Sequence, residues 1–184
     1  MNNKRYAMVL DTRRCIDCKA CTVACKAENQ VPLGRENHRN WVSEEKLRGK
    51  FPNLGQSFTP GQCMQCGNTP CNRVCPTGAT GVNQDGIVTV TDKKCIGCKY
   101  CMTACPYNAR YYNEDKGAVD KCTFCVHRLP LGREPACVET CPTKVRVFGD
   151  LNDPKSEASL LLRKHPYRVI KPEMGTKPFL FYLI

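Results

Sequence analysis

Cysteine is the residue type in this chain that could do chemistry, because sixteen of the 184 residues are cysteines. They form four sets of four with none left over, and the first and third sets share the spacing C-x2-C-x2-C-x3-C. In chain order the sets are Cys15, Cys18, Cys21, Cys25; Cys63, Cys66, Cys71, Cys75; Cys95, Cys98, Cys101, Cys105; and Cys122, Cys125, Cys137, Cys141. Soft metals prefer thiolate ligands, so this regular arrangement predicts that the protein binds metal through its cysteines.

Three chemistries could use these cysteines, and the spacing separates them. Disulfides suit an even cysteine count in a small secreted chain, but they give no reason for the repeated 2-2-3 spacing. Structural zinc takes C-x2-C pairs, and three cysteines in one turn exceed what one tetrahedral ion takes from a single loop. The 2-2-3 spacing is that of iron–sulfur ligands, in which the fourth cysteine binds a second cluster. Sixteen ligands at four per cluster therefore predict four [4Fe–4S] clusters.

The sequence around the cysteines is duplicated. Residues 15–25 and 95–105 are identical at seven of eleven positions. An alternating apolar segment precedes each repeat, at residues 6–10 and 87–90, and predicts a strand that enters each cysteine loop. We expect Cys25 and Cys105 each to start a helix that leads toward a neighbouring cluster. The pattern predicts an α+β fold of duplicated ferredoxin-like modules, two clusters in each, with short strands, short helices and long loops.

Spacing alone leaves open which cysteine sets share clusters. Nineteen residues separate Cys75 from Cys95, a comfortable length for one ferredoxin-like module, and this favours pairing the second set with the third. In that nested scheme, residues 1–184 are a single four-cluster chain with two lobes. Lobe A takes residues 15–25 and 122–141 with the tail 142–184, lobe B takes residues 63–75 and 95–105, and residues 30–62 form an insertion. The competing scheme pairs the first set with the second and the third with the fourth.

The formal charge of +11 could suggest a nucleic-acid partner, but the clusters account for most of it. An oxidised cubane with four thiolates carries about −2, so four of them leave the loaded protein at roughly +3. No nucleic-acid-binding motif accompanies the charge, and we predict no nucleic-acid partner. Basic residues that stand beside the ligands are Arg14, Lys19, Lys26, Arg73, Lys94, Lys99, Lys121 and Arg128.

The apolar segments predict neither a membrane span nor a signal peptide. No stretch approaches the ~20 apolar residues that a spanning helix needs, and the first ten residues contain no apolar signal core. The apolar tail, residues 179–184, would be a final strand or a peptide that docks on a partner, and we favour docking. The apolar residues between the ligands are expected to exclude water from the clusters; they are Ile16, Val23, Val74, Ile96, Val126 and Val138.

Segments beyond the cysteines carry a resemblance to a known family. The segments KCTFCVHRL at 121–129, PACVETCPT at 135–143 and FGDL at 148–151 resemble the four-cluster electron-transfer (beta) subunits of the molybdopterin oxidoreductase family. The polysulfide and thiosulfate reductase type is the nearest, and the dimethyl sulfoxide reductase subunit is a near relative. The resemblance covers residues 6–182, and it implies the nested ligation.

By that resemblance each cluster takes three cysteines from one set and one from another. The predicted ligand sets are Cys15, Cys18, Cys21 and Cys141; Cys122, Cys125, Cys137 and Cys25; Cys63, Cys66, Cys71 and Cys105; and Cys95, Cys98, Cys101 and Cys75. Some family members replace a cysteine of the third set by tryptophan and hold a three-iron cluster. Because Cys98 is present, we expect a four-iron cluster here.

The resemblance also implies partners and a role. It implies a molybdopterin catalytic subunit and an integral-membrane quinone-binding subunit, with this chain carrying electrons between them and having no active site of its own. It further implies a peripheral position at the periplasmic face, reached by export with a partner. The alternatives are a soluble polyferredoxin carrier, an iron–sulfur subunit of a formate dehydrogenase or hydrogenase complex, and a zinc-stapled scaffold.

Overall fold

The computed structural model describes residues 4–184, in short helices and strands joined by long connections. The strands are β1 Tyr6–Leu10, β2 Asn40–Glu44, β3 Arg48–Lys50, β4 Asn53–Gly55, β5 Phe58–Gln62, β6 Thr80–Val82, β7 Val88–Val90, β8 Tyr111–Asn113, β9 Ala118–Asp120, β10 Arg146–Asp150, β11 Tyr167–Arg168 and β12 Leu180–Leu183. The α-helices are α1 Ala20–Asn29, α2 Pro70–Arg73, α3 Tyr100–Thr103, α4 Ala136–Glu139 and α5 Glu157–Lys164. This mixed content agrees with the predicted α+β class. Within the described residues, no helix is long and apolar enough to cross a membrane.

A four-stranded sheet joins the two ends of the chain. Its strand order is β10-β1-β12-β11, with β1 antiparallel to β10 and parallel to β12. Met8 is aligned with Phe148 on one side and with Leu180 on the other. The predicted strand at residues 6–10 is therefore confirmed, and it lies in the middle of the sheet. The other strands form four two-stranded ribbons, β2-β5, β3-β4, β6-β7 and β8-β9.

Strand β1 is buried on both faces because its sheet separates two apolar layers. Met8 and Leu10 pack in the cluster of buried residues that contains several cysteines. Val9 points to the opposite face, as the period of two requires, and packs with Ala158 of α5. Gly149 of β10 permits this close packing, because a Cβ atom there would lie 2.9 Å from the Cβ of Ala158.

Helix α5 begins where its sequence provides a cap. The Ser156 side chain accepts a hydrogen bond from the backbone N–H of Ser159 at 3.2 Å, which satisfies one of the unpaired donors of the first turn. Glu157 stands in that first turn, and Arg163 and Lys164 stand in the last, so the charges complement the helix dipole. The helix thereby covers the sheet face that points away from the cysteines.

The apolar tail corrects one prediction. Residues 180–183 form β12, and Leu180, Tyr182 and Leu183 are buried, so the favoured docking role is wrong and the alternative of a final strand is right. The Tyr182 hydroxyl donates a hydrogen bond to the carbonyl of Pro60 at 3.0 Å, which ties the tail to β5. The apolar inventory of the chain is small, so these side chains are used in the core.

The helices near the cysteines begin earlier than predicted. Helix α1 starts at Ala20, so Cys21 and Cys25 lie one turn apart on the same helix. Helix α3 ends at Thr103, and Cys105 follows it. The expectation that Cys25 and Cys105 start helices is therefore wrong. Because residues four apart share a helix face, one helix can present Cys21 and Cys25 in nearly the same direction.

The insertion at residues 30–62 contains ordered strands. Strands β2 and β5 pair antiparallel, with Trp41 opposite Gly61. The Trp41 indole lies directly over Gly61, where a Cβ atom would come within 2.4 Å of the ring. Trp41 also packs against the buried cluster that contains the cysteines, so it acts as a local anchor of the insertion.

Candidate iron–sulfur centres

The first and third cysteine sets fold into loops with the same backbone. In each, a short 3₁₀ turn, Thr12–Arg14 or Asp92–Lys94, leads into the first cysteine. After the second cysteine the backbone becomes left-handed, with φ of 58° at Lys19 and 61° at Lys99. A left-handed residue reverses the chain sharply before the following helix begins. The three cysteines of each loop consequently curve around one space.

The first cavity is lined by Cys15, Cys18, Cys21 and Cys141. Cys141 follows α4 and is separated from the other three by most of the chain. The backbone N–H of Val145 donates a hydrogen bond to the Cys141 Sγ atom at 3.3 Å. Burial alone would raise the pKa of Cys141, but hydrogen bonds from the Val145 backbone and the Thr143 side chain outweigh it and lower the pKa. These donors prepare the sulfur to act as a thiolate ligand.

The second cavity is lined by Cys25, Cys122, Cys125 and Cys137. The Asn29 side chain donates from one nitrogen atom to two of these sulfurs, at 3.6 Å from Cys25 and 3.7 Å from Cys125. The four cysteines are all buried. This cavity therefore has less contact with water than the first, in which Cys18 is exposed.

The third cavity is lined by Cys63, Cys66, Cys71 and Cys105. A cationic donor reaches it, because the Arg110 Nη2 atom lies 2.9 Å from the Cys71 Sγ atom. Cys105 enters from the end of α3, after Cys101 has turned toward a different cavity. Neighbouring cysteines of one set are thus divided between two cavities.

The fourth cavity is lined by Cys75, Cys95, Cys98 and Cys101. The Thr77 hydroxyl lies 3.7 Å from the Cys75 Sγ atom. Burial would raise the pKa of Cys75, but hydrogen bonds from the Thr80 backbone and from Thr77 outweigh it and lower the pKa to about 7. Cys-Pro-Thr at 75–77 and 141–143 thus forms the same thiolate cradle in the fourth and first cavities.

The structure brings the four cysteines of each predicted ligand set together around one cavity, and the shape of the cavities tests what they could hold. The four cavities contain about 320, 260, 310 and 310 Å³ of open space, in the order described. Among residues 4–184, no three Cys, His, Asp or Glu side chains converge on a point where one metal ion would bind. All sixteen cysteines are free thiols. Four similar cavities with sulfur on the walls fit four guests of one size, each larger than a single ion.

The ionisation of the buried thiols also fits a metal cluster. Burial raises the pKa of Cys66 and of Cys122 to about 12, and that of Cys137 to about 11. Such thiols stay protonated at neutral pH, so they become thiolates only when a metal displaces the proton. The donor set therefore fits a group that brings its own positive charge, as iron does.

Two buried arginines at these cavities were missed by the sequence reasoning. Burial lowers the pKa of Arg110 and Arg146, but the thiolates around them outweigh this and raise both pKa values. Each arginine stands five residues after a fourth cysteine, in the pattern Cys-Pro-x3-Arg at 105–110 and 141–146, and this shared spacing could have identified them. Lys121, which precedes Cys122, was identified as a neighbour of a ligand, but its complete burial was not foreseen; burial lowers its pKa.

The apolar residues between the ligands only partly play the predicted part. Val138 is buried, but Ile16, Val23 and Ile96 are 60%, 65% and 67% exposed. The expectation that all of them shield the clusters is wrong for the two outer loops. Since the third cysteine of each loop turns inward with its helix, the side chains between the ligands are left on the outer surface.

Comparison with known proteins decides what kind of chain this is. Two family models, each described as a 4Fe-4S dicluster domain, match residues 54–151 and residues 14–79. The protein belongs to the 4Fe–4S dicluster family. With sixteen cysteines, two dicluster domains correspond to four [4Fe–4S] clusters, which confirms the predicted cofactors.

Relatives of this dicluster protein are components of reductases. It is 47% identical over 182 residues to the iron–sulfur-type B component of tetrathionate reductase from Salmonella typhimurium, covering 97% of this chain and 72% of that one. It is 46% identical over 181 residues to the B component of polysulfide reductase from Wolinella succinogenes, covering 97% and 93%. It is 39% identical over 216 residues to the B component of selenate reductase from Mesobacillus selenatarsenatis, covering 100% and 73%. The predicted kinship with the polysulfide reductase type is thereby confirmed.

Proposed function

We propose that this chain is the electron-transfer subunit of a multi-subunit reductase, carrying electrons through four [4Fe–4S] clusters between a membrane quinone-binding subunit and a molybdopterin catalytic subunit. The observation that carries the proposal is the grouping of sixteen cysteines around four neighbouring cavities. When bound, each cluster accepts and gives up one electron. The chain itself contributes position, polarity and exclusion of water.

The cavities form a line because shared elements connect successive pairs. Helix α1 supplies Cys21 to the first cavity and Cys25 to the second. Cys63 of the third cavity is close enough to Cys122 of the second for its charge to raise the pKa of Cys122. The α3 segment supplies Cys101 to the fourth cavity and Cys105 to the third. These connections support a path from the first cavity to the fourth through the second and third.

We further propose the ligand sets that the cavity walls define. The first cluster would be held by Cys15, Cys18, Cys21 and Cys141; the second by Cys25, Cys122, Cys125 and Cys137; the third by Cys63, Cys66, Cys71 and Cys105; and the fourth by Cys75, Cys95, Cys98 and Cys101. The matching backbone at Lys19 and Lys99 supports a duplicated ferredoxin-like origin, with lobe A around the first two clusters and lobe B around the others.

The two ends of this line reach the surface. Cys18 of the first cavity and Cys98 of the fourth are exposed, and Ile16 and Ile96 are exposed beside them. Apolar side chains around an exposed ligand suit docking of a partner that excludes water. The catalytic and membrane subunits would therefore bind at these ends, and a periplasmic position would follow if the partner is exported with this chain.

The substrate of the whole complex is proposed as a small sulfur compound such as polysulfide, thiosulfate or tetrathionate. Two of the relatives named above are reductases for tetrathionate and polysulfide. The selenate reductase relative extends the class to a selenium oxyanion. None of these compounds would contact this chain, because reduction would take place on the catalytic subunit.

The test is anaerobic purification of the tagged full chain from the organism that produces it. We expect a brown protein with four irons and four sulfides per cluster, four clusters per chain, and a large molybdopterin protein that co-purifies with it. A soluble monomer with four clusters would instead identify a polyferredoxin carrier. A colourless protein with one zinc per cysteine set would reject the proposal.

A further inference from the structure

Five basic side chains are buried in residues 4–184, and carboxylates neutralise two of them. Arg39 forms a bidentate ion pair with Asp120, at 2.8 Å and 3.1 Å. Arg128 pairs with Glu28 and Glu139. The three that form no ion pair with any carboxylate in this part of the chain are Arg110, Lys121 and Arg146.

A buried charge without a partner costs several kcal/mol in a protein interior, so an anionic group should face each of these three. Arg110, Lys121 and Arg146 are 6%, 0% and 2% exposed, which leaves little water to solvate them. The groups that face them are cysteine sulfurs and backbone carbonyls, and in every case they belong to two different cavities.

Arg110 lies between the third and fourth cavities. Its Nη2 atom donates to the Cys71 Sγ atom of the third cavity at 2.9 Å. Its Nη1 atom donates to the hydroxyl of Thr80 at 3.2 Å, and Thr80 lines the fourth cavity. The same guanidinium also interacts with Cys101 of the fourth cavity. One cation thus contacts both walls of this junction.

Lys121 lies between the second and third cavities. Its Nζ atom donates to the carbonyl oxygens of Val88 and Cys122, the latter at 2.7 Å. Val88 lines the third cavity and Cys122 lines the second. The sulfurs whose charges act most strongly on the ammonium group are those of Cys63 and Cys122, one from each cavity.

Arg146 lies between the first and second cavities. Its side chain lines the first cavity, and its Nη2 atom is 3.9 Å from the Cys21 Sγ atom. Its Nη1 atom donates to the Gln62 side-chain oxygen at 2.6 Å, which fixes the direction of the guanidinium. The sulfur that acts on it most strongly is that of Cys137 in the second cavity.

We propose that Arg146, Lys121 and Arg110 are the counter-charges of the electron path, one at each of its three junctions, and that each sets the reduction potentials of the two clusters beside it. The inference rests on the proposed function, since it requires clusters in the four cavities. Reduction makes a cluster more negative, so a fixed cation in a poorly solvated interior stabilises the reduced state and raises the potential. Because each cation faces two clusters, it raises both, which keeps an electron from being trapped on one side of the junction.

The test is a redox titration of the loaded full chain, followed by electron paramagnetic resonance, for the wild type and three neutral variants. Arg110→Gln should lower two of the four midpoint potentials, and Arg146→Gln should lower the other two. Lys121→Gln should lower one potential from each pair. At a fixed potential, each affected cluster should show a reduced-to-oxidised ratio about tenfold smaller, which is 59 mV for a one-electron couple.

Two further variants separate charge from structure. Arg110→Lys keeps the charge and should retain the wild-type potentials. Lys94→Gln is the matched surface control, because Lys94 precedes the ligand Cys95 but is exposed, where solvent and salt screen its charge. It should shift the potentials much less than Arg110→Gln does.

Each outcome decides the inference. It is overturned if Arg110→Gln shifts the potentials no more than Lys94→Gln, if Arg110→Lys shifts them as much as Arg110→Gln, or if the affected pairs do not overlap as stated. If Arg110→Gln assembles no clusters, Arg110→Lys decides: wild-type potentials support a requirement for charge, and failure to assemble overturns it. Absence of clusters from the wild type would reject the proposed function itself, which the titration establishes before any variant is compared.

Discussion

Removal of the iron should unfold this chain, and the buried cations give the size of the effect. Without thiolate-bound clusters, Arg110, Lys121 and Arg146 have no anionic partner among the described residues. A buried unpaired ion costs several kcal/mol, so three of them together cost about 10 kcal/mol or more. A domain is stabilised by only about 5–15 kcal/mol in total. The free energy of unfolding of the metal-free chain should therefore be close to zero or negative.

The assay is urea unfolding followed by far-ultraviolet circular dichroism, before and after anaerobic removal of iron with a chelator and reductant. We expect a cooperative transition from the loaded protein and none from the metal-free chain. Anaerobic addition of iron and sulfide is the control, and it should restore the transition. A cooperative transition of the metal-free chain, with a free energy of unfolding near that of the loaded protein, would refute the reasoning.

A matched variant tests whether the cations cause the instability. Arg146→Met replaces the guanidinium with an apolar side chain of similar length. The loaded variant should be less stable than the loaded wild type, because the first and second clusters lose a counter-charge. The metal-free variant should retain more helix and strand signal than the metal-free wild type, because one unpaired charge is gone. If both forms change in the same direction, buried charge is not the cause.

Two other substitutions test the ligand sets and the carboxylate-matched cation. Cys141→Ser should remove the first cluster and about a quarter of the iron, with the electron paramagnetic resonance signals of the other three clusters retained; loss of the fourth cluster instead would contradict the nested ligation. Asp120→Asn leaves the Arg39 guanidinium buried and unpaired, and should lower the free energy of unfolding of the loaded protein by about 3–5 kcal/mol. Asp11→Asn, at the exposed ion pair between Asp11 and Arg13, is its control and should have a much smaller effect; equal effects would mean that burial of the pair does not matter.

The junction cations also explain part of the net charge of +11. In the sequence, the excess of basic residues could be read only as a total that the clusters would balance. In the structure, three of these residues are placed where the cluster charge would be concentrated, while Arg14 and Lys94 beside the ligands remain exposed. Overall balance and local balance are therefore different properties, and only the local one can set a potential.

The sequence by itself determined the cofactor, the number of clusters and the two strands that enter the cysteine loops. This was possible because the 2-2-3 spacing places three sulfurs in one tight loop, so that most of each ligand set is local in the chain. Residues 6–10 and 88–90 could be predicted as strands for the same reason, since alternation of apolar residues is a local pattern.

The tertiary structure decided everything that depends on residues far apart in the chain. Spacing could not choose between the two pairings of the cysteine sets, because Cys141 meets Cys15 only when β1 and β10 pair in the central sheet. A buried arginine looks like a surface arginine in a sequence, so Arg110 and Arg146 were missed. The tail at 180–183 was assigned to a partner because its own apolar pattern does not say which surface it covers; folding places it beside β1, where its side chains leave water.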